Sequence, residues 1–168
     1  LDLEMLVSTP SVALTRNGPV TYQVRYLNAA STSLTSGHVS VAPTGTAHAD
    51  IAVALSAVDT YTVTLSNVAG DGTLGIAVAA GSATDFRGQA APAFASTEAV
   101  TVDNTPPVIT LLGSPSIKVQ TGSVYTDADA TALDALAGNL TGSIVTVSNV
   151  DTSTPGIYAV EYNVSAPA

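Results

Sequence analysis

Four aspartates stand where a cation could be held. Asp85 falls in a loop ahead of an alternating segment, Asp103 closes that segment, and Asp127 and Asp129 share a later loop. Calcium is a hard ion that takes carboxylate and carbonyl oxygens from loops. These four residues are therefore the candidate metal ligands, and Ca²⁺ is the one cofactor the residues suggest. The competing reading is structural, because loop aspartates also cap backbone N–H groups. Arg87, two residues beyond Asp85, would neutralise it rather than leave it for a cation.

Catalytic chemistry fails on inventory. The histidines are His38 and His48, with no Gly-x-Ser-x-Gly elbow near either. The glutamates number three, Glu4, Glu98 and Glu161, and the other acids lie mostly in turns rather than as a pair across a cleft. No phosphate-cradling Gly-rich loop and no dinucleotide fingerprint occurs. The absence of Cys removes disulfides, thiol catalysis and Cys-based zinc. The sequence reads as non-enzymatic, with no catalytic residues.

Charge excludes two partner classes. The 168 residues carry a formal net charge of −9. A nucleic-acid binder needs a basic stripe to displace counterions, and an anionic membrane surface repels acids. Yet only 10% of residues are charged and 46% are apolar, so this is a chain with a core and not an acidic tail. Leu1 is not a start Met and no leader precedes it, so the chain reads as part of something longer. No apolar run approaches ~18 residues, so no membrane insertion is expected here.

The elements that must position these residues are short strands. Val20, Tyr22, Val24 and Tyr26 alternate with Thr21, Gln23 and Arg25. Tyr61, Val63 and Leu65 do the same, then Leu74, Ile76 and Val78, then Val100 and Val102, and finally Tyr158, Val160, Tyr162 and Val164. Period-two alternation buries one face and wets the other. Asn17-Gly18, Thr121-Gly122 and Pro155-Gly156 supply turns, and Gly70-Asp71-Gly72 reads as a hairpin turn. Ala128–Leu140 is the one stretch with helical spacing, enough for a short turn of helix before Gly138-Asn139 stops it. Five of six tyrosines fall on apolar faces, and no Trp is present to stack on a sugar. Asn139-Leu140-Thr141 and Asn163-Val164-Ser165 match glycosylation sequons, a short pattern that carries little weight by itself.

A boundary falls at Asp103-Asn104-Thr105-Pro106-Pro107, where two prolines remove two donors and no ladder can continue. Residues 1–104 and 105–168 form the expected domains. Eight acids oppose three arginines in the first, and five oppose one lysine in the second. The expected fold class is all-β, two tandem β-sandwich domains joined by a short Pro-rich linker.

Pro19–Val24, Tyr61–Leu65, Gly70–Ile76, Ala83–Asp85 and Val102–Pro107 make the first half resemble bacterial Ig-like domains repeated in large adhesins. Pro107–Leu111, Gly122–Asp127, Gly138–Thr141 and Asp151–Tyr158 make the second half similar to a short Ig-like repeat of bacterial extracellular proteins, also seen in some insecticidal crystal proteins. That resemblance implies a structural spacer or stalk segment of a large secreted or cell-surface bacterial protein, with adhesion as the parent's role. Its partners would be neighbouring Ig-like domains of the same parent chain and an extracellular ligand. It also implies that calcium at Asp85 and Asp103 would join successive domains. The other function class is an accessory module of a secreted enzyme, binding polysaccharide or protein. In the second family a further strand follows the Tyr158–Val164 strand, so the second domain is expected to lack its last strand, leaving an unpaired edge.

Overall fold

A computed structural model of the chain describes residues 2–95 and 98–167. Backbone contacts divide it into two compact units, Leu1–Asn104 and Thr105–Pro167. Among the described residues the regular structure is all strand, apart from two single 3₁₀ turns, Ser36–His38 and Thr141–Ser143.

The first unit holds β1 (Glu4–Val7), β2 (Leu14–Thr15), β3 (Val20–Leu27), β4 (Ser31–Thr32), β5 (Val39–Pro43), β6 (His48–Ala57), β7 (Thr60–Ala69), β8 (Gly72–Val78), β9 (Ala83–Thr84), β10 (Phe94–Ala95) and β11 (Val100–Val102). One sheet runs β1-β3-β7-β6. In the other, β8 pairs with β5 along one edge and with β10 and β11 along the other, and β2 lies parallel to β11. This is the strand order of a constant-type Ig sandwich, with β10 and β11 together in the place of its last strand and β2 added at the margin.

Alternation explains the register. Val20, Tyr22, Val24 and Tyr26 of β3 are buried, while Gln23 and Arg25 are exposed. They sit opposite Leu65, Val63 and Tyr61 of β7, and the facing sheet contributes Leu74, Ile76, Val78, Val100 and Val102. All of these belong to one apolar cluster. Within the first sheet Tyr26 meets Tyr61 edge to face at 6.2 Å, and the Tyr26 hydroxyl donates to Ser82 Oγ, past the end of β8, at 2.6 Å.

The Gly70–Gly72 segment is not a hairpin turn. β7 and β8 lie in different sheets, so this segment is the corner where the chain crosses between them. Its glycines are needed for close approach. A Cβ on Gly70 would lie 2.2 Å from the Thr46 carbonyl oxygen, and one on Gly72 would lie 2.1 Å from that of Thr44.

The second unit holds β12 (Val108–Leu111), β13 (Ala130–Asp134), β14 (Gly138–Asn139), β15 (Val145–Ser148) and β16 (Val160–Asn163). β12-β13-β14 form one sheet and β15-β16 a two-stranded ribbon. The helical turn expected within Ala128–Leu140 is a strand and hairpin instead. Pairing of Val108 through Leu111 with Leu133 through Ala130 outweighs the local preference of an Ala-rich stretch. Asp134 Oδ1 then closes the turn, accepting from the Leu136 and Ala137 N–H groups at 2.8 and 2.7 Å. Ala130 and Ala132 are buried, but Tyr125, Tyr158, Val160 and Tyr162 are only half-buried, not the closed core that their alternation suggests. Among the described residues β16 has β15 as its ladder partner on one side.

Candidate functional sites

Asp85 sits in the loop after β9. Its Oδ1 accepts from the Arg87 and Gln89 N–H groups, both at 2.8 Å. Its own N–H donates to the Gln89 carbonyl at 2.9 Å, and Gly88 N–H donates to the Asp85 carbonyl at 3.0 Å. The side chain is thus the internal brace of its own loop. The Gln89 amide bond is the main cause holding its carboxyl below the ordinary range. Asp103 is buried just past β11, with its N–H on the Thr15 carbonyl at 3.1 Å. Next to it, Asn104 donates from its N–H to Asp71 Oδ1 at 2.6 Å and from its side chain to the Gly70 carbonyl at 2.8 Å.

Asp127 is built differently. Both of its oxygens accept from the Tyr162 hydroxyl, at 2.6 and 2.7 Å, and Oδ1 also accepts from Tyr125 at 3.2 Å. The Tyr162 bond is the largest cause lowering the Asp127 carboxyl, and Asp127 in turn pushes the Tyr162 hydroxyl up to about 12. Asp129, exposed and left-handed at φ 64, reaches this cluster through its N–H, 3.4 Å from Asp127 Oδ1. The structure brings Asp129 to Asp127 through its backbone N–H, not as a second carboxylate, and Asp127 itself is held by the two tyrosines. Among the described residues no three His, Cys, Asp or Glu side chains converge as a metal-holding group.

The tyrosine cluster forms one wall of an open cleft of ≈ 780 Å³ in the second unit. Ile117, Tyr125, Asp151, Tyr158 and Tyr162 line it. The size suits a small ligand. Sequence reasoning missed this cleft because it placed the same tyrosines inside a closed core. The available signal was the long stretch without alternation from residue 112 to residue 129, which supplies too few apolar side chains to fill the space. Tyr158 is held at the rim, its hydroxyl on the Thr154 carbonyl at 2.9 Å, with Gly156 directly under its ring. This is the kind of corner that the Pro155-Gly156 turn suggests.

His38 closes the Ser36–His38 turn by accepting at Nδ1 from the Thr35 N–H at 3.2 Å, and His48 begins β6. His38 Nδ1 also lies 3.0 Å from the Thr35 hydroxyl, within the same turn, and His48 Nδ1 lies 3.2 Å from the Thr46 carbonyl.

Residues 109–168 match the family model of an Ig-like domain of bacterial surface proteins. The match covers the second unit and not the first. No curated protein and no solved structure matches the chain. The all-β sandwich agrees with that family's fold class. No helix of the described residues is long and apolar enough to cross a membrane.

Proposed function

We propose that the chain is a non-catalytic spacer segment of a large bacterial surface or secreted protein, working outside the cell in an adhesion-related role. The observation that carries this reading is the match of residues 109–168 to an Ig-like domain of bacterial surface proteins. The first unit supports it by architecture, since Asp85, Asp59, Tyr22 and Tyr26 each hold a loop or a sheet contact of their own unit. Fold alone does not assign function, so the support comes from the surface-protein match and not from the sandwich.

Exchange within the parent protein tests the reading. The segment is replaced by an unrelated Ig-like pair of similar length, and attachment of intact cells is measured. A spacer tolerates the exchange, because only reach and stiffness matter. Loss of attachment with normal surface display would overturn it.

The cleft beside Tyr125, Tyr158 and Tyr162 favours one other reading, an accessory module that binds polysaccharide or protein. Titration of the chain with soluble polysaccharides, followed by tyrosine fluorescence, tests that reading. A flat response sinks the polysaccharide form of it.

A further inference from the structure

One end of the first unit is assembled differently from the rest of its surface. The chain from Asn28 to Leu34, the β6–β7 turn and the loop around Asp85 meet there on β4. Ser31 and Thr84 hydroxyls share a hydrogen bond of 2.7 Å, and Ala30 N–H donates to the Thr84 carbonyl at 2.8 Å. Thr32 donates to Asp59 Oδ1 at 3.4 Å and accepts from the Tyr61 hydroxyl at 3.0 Å. The opposite end carries Gly70, Asp71 and Asn104.

On this braced end stand the most exposed large apolar side chains among the unit's described residues: Val58 at 86%, Phe86 at 84% and Leu55 at 64%. Arg87 is exposed beside Phe86. Phe86 and Arg87 occupy the bend that Asp85 closes with its own carboxylate, so their backbone is fixed before any partner arrives. Of the carboxylates nearby, Asp85 faces its own loop and Asp59 faces Thr32, while exposed Asp2 lies beyond Asn28, whose side chain donates to the Asp2 carbonyl at 2.9 Å. Arg87 therefore supplies the outward charge of the bend.

We infer that this end is a protein-docking surface, with Phe86 as its anchor, and that its partner offers an apolar pocket with carboxylates on the rim. Aromatic and arginine side chains concentrate binding energy at interfaces. Holding them in a closed turn removes part of the ordering cost that binding otherwise carries. The unit is acidic overall, eight acids against three arginines, and at this end Arg87 is joined by exposed Arg25, which stands opposite Thr60 next to the β6–β7 turn, so an acidic partner is favoured here. Val58 and Leu55, on the neighbouring turn, widen the contact. This goes beyond the spacer reading, which needs only length.

A display library of random linear peptides, selected on the intact chain, tests the inference. Enriched peptides should combine bulky apolar residues with Asp or Glu. Phe86→Ala should weaken the best of them by at least about tenfold, the loss expected of an anchor. Arg87→Gln should weaken them less and flatten the dependence on salt. Both side chains are exposed, so thermal melts of the variants should match the parent and loss of binding is not loss of fold. The inference is overturned if no acidic-apolar pattern emerges. It is overturned equally if Phe86→Ala binds within about twofold of the parent, well short of an anchor's loss, or if backbone amide shifts place the peptides in the second unit's cleft.

Discussion

The hydroxyl of Tyr22, on β3 of one sheet, donates to the carbonyl of Leu74, on β8 of the other, at 3.0 Å. Antibody domains bridge the same two strands with a disulfide. Here the bridge is a fully buried phenol, and burial pushes its ionisation up. Tyr22→Phe keeps the ring but removes the hydroxyl's bonds to the Leu74 and Glu98 carbonyls, at a cost of about 0.5–1.5 kcal/mol. Tyr22→Ala adds a cavity and should cost about 3–5 kcal/mol. Urea unfolding of the two variants should separate these effects. Equal midpoints for Tyr22→Phe and the parent would show that the bond contributes nothing.

The corner between β7 and β8 supports a second prediction. Gly72 adopts φ +140, and a Cβ there would collide with the Thr44 carbonyl. Thr44 and Thr46 also accept and donate across this corner, with Thr46 N–H on the Asp71 carbonyl at 2.8 Å and Thr73 N–H on Thr44 Oγ1 at 2.9 Å. Gly72→Ala should therefore destabilise the first unit by more than the ~1 kcal/mol of a glycine replacement without a clash. Gly88→Ala is the matched control, being left-handed at φ +79 with open space around it. If both variants melt together, the corner is more compliant than its geometry implies.

How far the sequence could be read depended on who supplies the neighbours. In the first unit Tyr22, Val24, Val63, Leu74 and Ile76 announce their inward faces by alternation, and each meets an equally regular strand. Local pattern and tertiary pairing agree there. Around β13 they disagree: Leu133 and Leu136 have helical spacing but are exposed, because pairing with β12 fixes the backbone. The tyrosines of the second unit alternate correctly but face a cleft, since alternation reports a side and not what fills it. Asp85 was legible as a loop acid. Its role as a brace depends on two backbone N–H groups whose positions no spacing rule supplies.

The Asp127–Tyr162 pair predicts a pH window for the second unit. Asp127 is held below its ordinary value, chiefly by the Tyr162 hydroxyl, so its contribution is present above about pH 4 and is lost as pH falls through the folded value. Tyr162 is pushed up to about 12, so its contribution is complete below about pH 10 and is lost as pH rises toward 12. Ultraviolet titration should show one phenol ionising near 12, and Asp127→Ala should return it toward ~10. A titration unchanged by that substitution would break the link between the two residues.

Calcium is decided by competition for oxygens. Asp85 Oδ1 already accepts two N–H groups, and both Asp127 oxygens accept from Tyr162. A cation would have to displace these donors and collect further oxygens, and among the described residues no third carboxylate or imidazole completes such a group. An extracellular-type site with Kd of ~0.1 mM would add ~2.7 kcal/mol at ~10 mM calcium, a shift of several degrees in Tm. The geometry predicts that melts in chelator and in calcium superimpose, and that Asp85→Ala lowers Tm equally in both, because it removes a brace and not a ligand. A calcium-dependent rise that disappears in Asp85→Ala or Asp103→Ala would instead identify both residues as metal ligands.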